Sequence, residues 1–279
     1  MIDPSLLKKI VRRALEEDLG SGDITTRALF PKKIQAKAVI EAKQEGLIAG
    51  LPVAKAVFKQ VDPHLRFNPT VKDGDRLKPG MIIARLSGDG RSILRGERVA
   101  LNFLQRLSGI ATLTAQFVEA VKNTKAKILD TRKTMPGMRC LEKYAVRMGG
   151  GQNHRMSLSD GLLIKDNHIA LAGSLKRTVQ LAKKNKSHGL KVEVEATSLE
   201  EVEEAVSAKA DVILLDNMTI PQLKESVKRI KGRTLTEASG GIHIRNVRDI
   251  ASTGVDFISI GALTHSAPAF DCSLELFHA

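Results

Sequence analysis

Residues 191–241 carry the sequence KVEVEATSLEEVEEAVSAKADVILLDNMTIPQLKESVKRIKGRTLTEASGG, and this stretch decides the fold. Short apolar runs alternate in it with segments of helical periodicity. The apolar runs are Lys191–Glu195, Val212–Asp216 and Thr234–Ser239, and the helical segments are Ser198–Ser207 and Ile220–Ile230. Such alternation predicts repeated strand–helix units around a parallel sheet.

The same alternation continues on both sides of this stretch. Further apolar runs at Lys127–Asp130, Gly161–Lys165 and Asp256–Ile260 bring the predicted strands to six. The remaining helix candidates are Leu141–Met148, Ser174–Lys186 and Val247–Thr253. Nearly every run ends in a polar residue or a glycine. Because a β/α barrel builds its active site at the C-terminal ends of its strands, this pattern favours a barrel over an open doubly wound sheet.

The N-terminal part has a different pattern. It predicts helices at Pro4–Asp18 and Gly50–Val61, a half-buried strand at Ile34–Glu45 and short antiparallel strands within Val71–Leu86. A long helical stretch then runs from Arg95 to Val121. Ser108-Gly109 is expected to interrupt it and to separate two helices, and with them two domains.

The composition limits the classes of function that the chain can have. The chain has 279 residues, with 44 Lys and Arg against 31 Asp and Glu, and a net charge of +13. This excess indicates an anionic partner, either nucleic acid or a small ligand with several phosphates or carboxylates. There is no Trp and only one Tyr, which disfavours single-stranded nucleic acid because such binders stack bases on aromatic rings.

The sequence also lacks the features of several other classes of protein. Cys140 and Cys272 are far apart and fit neither a disulfide framework nor metal-ligand spacing. No apolar run reaches the roughly 18 residues of a membrane span. The N-terminus has no continuous apolar segment of the kind found in signal peptides, so a cytoplasmic location is expected.

Basic side chains follow the first two predicted barrel strands. Arg132 and Lys133 stand together after the first strand, where a guanidinium fork beside an ammonium forms an anion clamp. Gly149–Arg155 is a glycine-rich loop whose backbone amides, with His154 and Arg155, also suit an anion. Lys165 ends the second strand and needs an anionic neighbour or ligand there.

Carboxylates and glycine turns end the later strands. Glu195 and Asp216 are suited to ribose hydroxyls, to a hydrated Mg²⁺ or to a developing sugar cation, or they only balance the bases. Ser239-Gly240-Gly241 and Gly261-Ala262 have the composition of phosphate-binding turns. Together these residues predict a site for a phosphorylated sugar and a second anionic substrate. A Schiff-base mechanism at Lys165 is the competing hypothesis.

The ordered motifs of the chain make a family resemblance visible. They are Glu17–Thr26, Glu97–Asn102, Ser108–Thr112, Asp130–Thr134, Gly151–Arg155, Lys165–His168, Val192–Glu195, Leu215–Met218 and Glu237–Ile242. From about residue 10 to about residue 275 the chain resembles the quinolinate phosphoribosyltransferases, also called carboxylating nicotinate-nucleotide pyrophosphorylases.

The resemblance implies an α/β fold with an N-terminal α/β sandwich domain, residues 1–109, and an incomplete six-to-seven-stranded β/α barrel, residues 110–279. The C-terminal residues are expected to pack back on the sandwich. It also implies a homodimer or larger homo-oligomer in which Arg98 enters the neighbouring subunit's site. The implied reaction converts quinolinate and phosphoribosyl pyrophosphate, with Mg²⁺, to nicotinate mononucleotide, CO₂ and pyrophosphate in NAD biosynthesis.

The resemblance also assigns roles to single residues. Arg98, Arg132, His154 and Arg155 would bind the quinolinate carboxylates, with Thr131 beside them. Lys133 and Lys165 would contact substrate anions near the reacting centre. Glu195 and Asp216 would bind ribose hydroxyls and the Mg²⁺, directly or through water. The 5′-phosphate would be held by two turns, Ser239-Gly240-Gly241 and Ile260-Gly261-Ala262.

Two alternatives to this function stay open on the sequence. One is a sister pyrophosphorylase of the same fold that acts on another ring, such as the molybdenum-locus homologues. The other is a basic nucleic-acid-binding protein, which would bind in a strongly salt-dependent manner.

Overall fold

The structure, a computed structural model, describes residues 2–278, without the side chain of His278. Its helices are α1 (Pro4–Leu19), α2 (Ile24–Leu29), α3 (Leu51–Val61), α4 (Gly90–Ala120), α5 (Arg139–Met148), α6 (Asp166–Ala172), α7 (Leu175–Asn185), α8 (Leu199–Ser207), α9 (Ile220–Ile230), α10 (Val247–Ala251) and α11 (Ala262–His265). Its strands are β1 (Gln35–Ala42), β2 (Gly46–Leu47), β3 (Arg66–Pro69), β4 (Arg76–Leu77), β5 (Ile82–Asp89), β6 (Lys127–Leu129), β7 (Leu162–Ile164), β8 (Val192–Ala196), β9 (Val212–Asp216), β10 (Leu235–Ser239), β11 (Phe257–Ser259) and β12 (Cys272–His278).

The described chain forms two compact units. The first contains residues 2–115, 135–150 and 266–278, and the second contains residues 116–134 and 151–265. No helix among residues 2–278 has the length and apolar character needed to cross a bilayer.

The first unit is built on an antiparallel sheet with the strand order β12-β1-β5-β3. Along β1 the side chains alternate, with Ala36, Ala38, Ile40 and Ala42 buried, which confirms the predicted half-buried strand. The edge strand β12 comes from the C-terminal end of the chain and pairs with β1. Strand β12 was not predicted from the sequence, although Cys272, Leu274 and Leu276 alternate with the polar residues Ser273 and Glu275.

Strands form within residues 71–86 as predicted, but they do not pair with each other. The short strand β4 pairs with β2, and β5 lies between β1 and β3. All of these pairings are antiparallel.

The predicted interruption at Ser108-Gly109 is wrong, because α4 runs continuously from Gly90 to Ala120. The hydroxyl of Ser108 is fully buried and hydrogen-bonds both the amide and the carbonyl of Ala49. A Cβ on Gly109 would lie 2.0 Å from the carbonyl oxygen of Pro268. The two small residues therefore allow close packing on one face of the helix and do not break it.

The second unit is the predicted barrel, and its sheet contains all six predicted strands. The strands are parallel, and their order is β6-β11-β10-β9-β8-β7. The first strand of the unit pairs with the last, which is how a barrel closes and an open doubly wound sheet does not. Among the described residues β6 and β7 do not pair, and on that side β6 forms only an isolated bridge, from Leu129 to Gln152 in the loop after α5, so the barrel is incomplete.

Alternation along the barrel strands decides which side chains face inward. Successive side chains of a strand point to opposite faces, so Glu193 and Glu195 share one face of β8, and Glu237 and Ser239 share one face of β10. The intervening Val194 and Ala238 are buried on the other face. Each of these strands thus carries one polar side chain at its end and a second one deeper inside.

Replacing Gly109 by alanine should destabilise the protein, although alanine is normally the better helix former by about 1 kcal/mol. The added methyl group would overlap the Pro268 carbonyl, so the backbone at residues 266–270 would have to move. We expect the free energy of unfolding in urea to fall by about 2 kcal/mol. Asn102→Ala, at an exposed position of the same helix, is the control and should have little effect. Equal stabilities of the two variants would contradict the close contact.

Candidate active site

A cavity of about 940 Å³ opens at the C-terminal ends of the barrel strands, and we call it the mouth cavity. Every predicted site residue from the barrel lines it: Thr131, Arg132, Lys133, His154, Arg155, Lys165, Glu195, Asp216, Ser239, Gly240, Gly241, Ile260, Gly261 and Ala262. The parallel register brings these residues together, because all six strands end at the same rim.

Arg98 is the one predicted site residue outside the mouth cavity of this chain. It is exposed on α4, in the first unit. Its predicted place in the site of a neighbouring subunit stays a prediction.

The guanidinium groups of Arg132 and Arg155 both line the mouth cavity. Burial, and next the charge of Arg132, lower the pKa of Arg155, while the carboxylates of Glu193 and Glu195 act in the opposite direction. The Nε atom of Arg132 is buried and has no hydrogen-bond partner among residues 2–278. A buried donor without a partner costs about 1–3 kcal/mol, and more when it is charged. The pair is therefore suited to an anionic ligand.

Asp130 holds the loop that carries His154 and Arg155. Its carboxylate is fully buried and accepts hydrogen bonds from Asn153 Nδ2 at 2.5 Å and from the His154 amide at 2.9 Å. Gln152 lies beside β6 and forms a single parallel bridge with Leu129, and Arg155 donates to the carbonyl of Gly161 at 3.0 Å. The glycine-rich loop is thus fixed by buried contacts and is not a free surface loop.

Both ring nitrogens of His154 contact the protein. Nε2 lies 3.0 Å from Glu193 Oε2 and 3.7 Å from Glu237 Oε1, and Nδ1 accepts a hydrogen bond from the Arg155 amide at 2.7 Å. A direct N–H contact from His154 to a substrate carboxylate, which the resemblance implies, would require one of these interactions to be exchanged. We call His154, Glu193 and Glu237 the His154 cluster.

The acidic side of the mouth cavity is arranged by Lys165 and Asn217. Lys165 Nζ forms an ion pair with Glu195 Oε1. The Asn217 side chain donates from Nδ2 to Asp216 Oδ2 at 2.7 Å. The backbone N–H of Asn217 donates to the carbonyl oxygen of Ser239 at 2.9 Å. Glu195 and Asp216 are both half-buried, and in each the second carboxylate oxygen has no ion pair or hydrogen bond of this kind among the described residues.

The turns at Gly240 and Gly261 have no side chain at these positions, so their backbone stays open to a ligand while other groups pack closely against it. Gly240 has φ of 92°, and a Cβ there would lie 2.1 Å from Asn217 Oδ1. A Cβ on Gly261 would lie 2.8 Å from Lys133 Cδ, so the Lys133 side chain passes directly over that turn. The backbone conformation requires glycine at Gly240, whereas at Gly261 a Cβ would displace the flexible Lys133 side chain. Phosphate binding at the two turns stays a prediction.

Other lining residues were not predicted as part of the site: Asp166, Asn217, Glu237, His243, Ser259 and His265. Glu237 had a signal in the sequence, since it stands two residues before Ser239 and therefore shares its face of β10. The Asn217 backbone has φ of 53°, a left-handed conformation that a sequence pattern does not reveal.

Two groups of side chains have the chemistry to hold a divalent cation. Glu195 and Asp216, on neighbouring strands beside the glycine turns, fit Mg²⁺, which prefers one or two carboxylates together with substrate phosphates. In the His154 cluster, one ligand atom from each residue lies within 4.8 Å of the others. The cluster is buried in the barrel interior, below the rim.

Comparison with known proteins was made on both sequence and structure. Residues 23–108 match the N-terminal domain of quinolinate phosphoribosyl transferase, and residues 110–275 match its C-terminal domain. The chain is 44% identical over 270 residues to a probable carboxylating nicotinate-nucleotide pyrophosphorylase of Bacillus subtilis, covering 97% of this chain and 93% of that protein. A chloroplastic enzyme of the same name from Arabidopsis thaliana is 43% identical, covering 97% of this chain and 82% of the relative.

Solved structures agree with the sequence relatives. The crystal structure of NadC from Streptococcus pyogenes superposes with a TM-score of 0.96 at 43% identity, covering 100% of this chain and 99% of the other. The nicotinate-nucleotide pyrophosphorylase of Francisella tularensis gives a TM-score of 0.96 at 41% identity, with 99% and 98% covered. Matches of this extent across both halves establish the family: the chain belongs to the quinolinate phosphoribosyltransferases.

Proposed function

We propose that this chain converts quinolinate and phosphoribosyl pyrophosphate to nicotinate mononucleotide, CO₂ and pyrophosphate, in de novo NAD biosynthesis. The observation that carries the proposal is the pair of guanidinium groups in the mouth cavity, with the buried Nε of Arg132 lacking a partner. A ligand with two carboxylates would satisfy that donor and offset the repulsion between Arg132 and Arg155. Quinolinate is such a ligand.

The glycine turns support binding of the phosphorylated ribose. The backbone at Ser239–Gly241 and Ile260–Ala262 lines the mouth cavity without side chains in the way, which suits the 5′-phosphate. Lys133, whose stem crosses Gly261, brings an ammonium group close to that turn. In the proposal Lys133 contacts the phosphorylated substrate or the leaving pyrophosphate.

The carboxylates support the transfer step. Loss of pyrophosphate leaves oxocarbenium character on the ribose, and Glu195 and Asp216 would stabilise that charge and accept hydrogen bonds from the ribose hydroxyls. The same two residues would hold Mg²⁺, directly or through water. When bound, Mg²⁺ neutralises the phosphate charges of the leaving group.

The basic residues support loss of CO₂. Decarboxylation leaves an electron pair on the pyridine ring, and the cationic groups of Arg132, Arg155 and Lys165 would stabilise it. Lys165 Nζ forms an ion pair with Glu195 and is not left free to attack a carbonyl group as a Schiff-base nucleophile would. The geometry therefore favours the binding role of Lys165 over the nucleophilic one.

The proposal includes an assembly of at least two subunits in the cytoplasm. Arg98 would then complete the quinolinate site of the neighbouring subunit, because it is exposed and not part of the mouth cavity of its own chain. A sister enzyme for a ring with one carboxylate would need fewer cations than this cavity contains.

The function is tested by measuring product formation from phosphoribosyl pyrophosphate and Mg²⁺ with quinolinate or nicotinate as the second substrate. We expect nicotinate mononucleotide and CO₂ from quinolinate, and no turnover of nicotinate. If the protein binds phosphoribosyl pyrophosphate but does not turn over quinolinate, the result would indicate a sister pyrophosphorylase that acts on another ring. Retention of DNA or RNA at moderate salt would instead favour the nucleic-acid-binding alternative.

Arg132→Lys should weaken quinolinate binding, because lysine keeps the charge but removes the Nε donor and the planar fork. We expect the KM for quinolinate to rise about ten- to a hundredfold, which corresponds to roughly 1.4–2.8 kcal/mol, with a smaller change in the KM for phosphoribosyl pyrophosphate. Arg12→Lys, on the exposed helix α1, is the control. An unchanged KM for quinolinate in Arg132→Lys would contradict the role given to the Arg132 fork.

Gly240→Ala should weaken binding of phosphoribosyl pyrophosphate. The new Cβ would overlap Asn217 Oδ1 and displace the turn that receives the 5′-phosphate. Gly232→Ala is a matched control, since Gly232 also has positive φ but has nothing within 4 Å of its Cβ position. Both variants should lose about 1 kcal/mol of stability from the backbone strain, and only Gly240→Ala should raise the KM for phosphoribosyl pyrophosphate. Equal KM values for the two variants would count against the turn as a phosphate site.

A further inference from the structure

Thr264 stands just after the turn Ile260-Gly261-Ala262, and the proposed reaction gives it no role. It belongs to the short helix α11, and its side chain is fully buried. The hydroxyl oxygen Oγ1 lies 2.7 Å from the carbonyl oxygen of Lys133 and 3.2 Å from the carbonyl oxygen of Gly261. Thr264 and Lys133 are 131 positions apart in the chain, so this hydroxyl joins two segments of the site that the sequence does not connect.

The single proton of the Thr264 hydroxyl is directed at Lys133. A threonine hydroxyl can donate one hydrogen, and the distance to the Lys133 carbonyl is the ordinary one for an O–H donor. The Gly261 carbonyl is farther away, and it already accepts hydrogen bonds from the backbone amides of Thr264 and His265, both at 3.1 Å. The hydroxyl is therefore the donor for the Lys133 carbonyl.

Thr264 is itself fixed relative to the turn that is proposed to hold the 5′-phosphate. Its backbone amide donates to the Gly261 carbonyl, and the amide of Ile260 donates to the carbonyl of Leu129 at the end of β6 at 3.0 Å. The preceding residue, Leu263, is fully buried. A hydroxyl anchored in this way gives the Lys133 carbonyl a partner in a defined position.

The loop that carries Lys133 has hydrogen bonds of its own. The amide of Lys133 donates to the Thr131 hydroxyl at 3.0 Å, and the amide of Thr134 donates to the Arg132 carbonyl at 2.9 Å. Both bonds lie within the loop, so they shape it without attaching it to the turn at Gly261. The bond from Thr264 supplies that attachment.

The position of the Lys133 backbone decides where its ammonium group lies. The stem of Lys133 passes over Gly261, with Cδ 2.8 Å from the place that a Cβ on Gly261 would take. The directions open to a side chain depend on its own backbone, and the ammonium group is at the far end of a flexible stem. A small movement of the Lys133 backbone therefore displaces the ammonium group by a larger distance.

We propose that Thr264 is a positioning residue for Lys133: its hydroxyl holds the Lys133 carbonyl so that the ammonium group lies over the turn at Gly261, where it meets the phosphorylated substrate. The inference rests on the proposed function, which assigns Lys133 to phosphoribosyl pyrophosphate or to the leaving pyrophosphate. Thr264 does not line the mouth cavity and contacts no substrate, so its effect on binding passes through Lys133.

The first test compares the dissociation constant of phosphoribosyl pyrophosphate, measured by calorimetry with Mg²⁺, in the wild type, in Thr264→Val and in Thr264→Ser. Valine keeps the branched shape of threonine but has no donor, whereas serine keeps the donor. We expect the dissociation constant to rise about five- to tenfold in Thr264→Val, and to stay within about twofold of the wild type in Thr264→Ser. Equal dissociation constants in the wild type and Thr264→Val would overturn the proposal.

Thr178→Val is the matched control. Thr178 is also a buried threonine, and its hydroxyl donates to the carbonyl of Ser174 at 2.7 Å, but it does not line the mouth cavity. Both valine variants should lose similar stability against urea, and only Thr264→Val should bind the substrate more weakly. An equal loss of affinity in Thr178→Val would contradict the proposal. Thr264→Ala also removes the donor and repeats the test if Thr264→Val folds poorly.

A double-mutant cycle with Lys133→Ala tests whether Thr264 acts through Lys133. Once the ammonium group is gone, the position of the Lys133 backbone no longer affects its contact with the phosphorylated substrate. In the Lys133→Ala background we therefore expect Thr264→Val to change the dissociation constant by less than about twofold. A loss of affinity of about five- to tenfold in both backgrounds would show that Thr264 acts independently of Lys133, and it would overturn the proposal.

Failure of this inference and failure of the proposed function give different results, because the cycle measures binding and does not require turnover of quinolinate. A wild type that binds phosphoribosyl pyrophosphate but turns over no quinolinate would contradict the proposed function alone. An unchanged affinity in Thr264→Val would contradict the inference alone. A wild type that does not bind phosphoribosyl pyrophosphate would contradict both.

Discussion

The site depends on holding cations of like charge close together inside a barrel. Arg132 and Arg155 come from different loops, and the charge of Arg132 lowers the pKa of Arg155. The carboxylates of Glu193 and Glu195 offset part of this repulsion at Arg155, and the buried Nε of Arg132 is left to a ligand. A cavity arranged in this way is pre-organised for an anion, because the protein has already met the cost of assembling the charges.

The parallel barrel is what makes that arrangement available. Six strands end at one rim, so residues that are 130 positions apart in sequence, from Thr131 to Gly261, line a single cavity. Alternation along each strand adds a second layer below the rim, where Glu193 and Glu237 lie under Glu195 and Ser239. In the proposed function the rim residues contact the substrates, and acidic side chains lie in the layer beneath them. The positions of both layers therefore follow from one register.

Much of the barrel and its rim could be predicted from the sequence, because their signals are local. Each apolar run became a strand, and polar residues or glycines at or directly after all six runs line the mouth cavity, from Arg132 to Ala262. The first unit was less predictable, since its features depend on contacts between distant segments. From the sequence alone, Ser108-Gly109 predicts a helix break. In the structure these two small residues instead allow Ala49 and Pro268 to pack closely against the helix. The depth of Glu237 and the left-handed backbone of Asn217 also depend on neighbouring strands.

A crystal structure of the protein with quinolinate bound would test the central claim most directly, because the claim concerns one atom. The account predicts a carboxylate oxygen of the ligand within hydrogen-bond distance of Arg132 Nε, with the second carboxylate near Arg155 or the Arg98 of a neighbouring subunit. Quinolinate bound elsewhere, or an Arg132 Nε that takes a protein acceptor while the ligand is present, would contradict it.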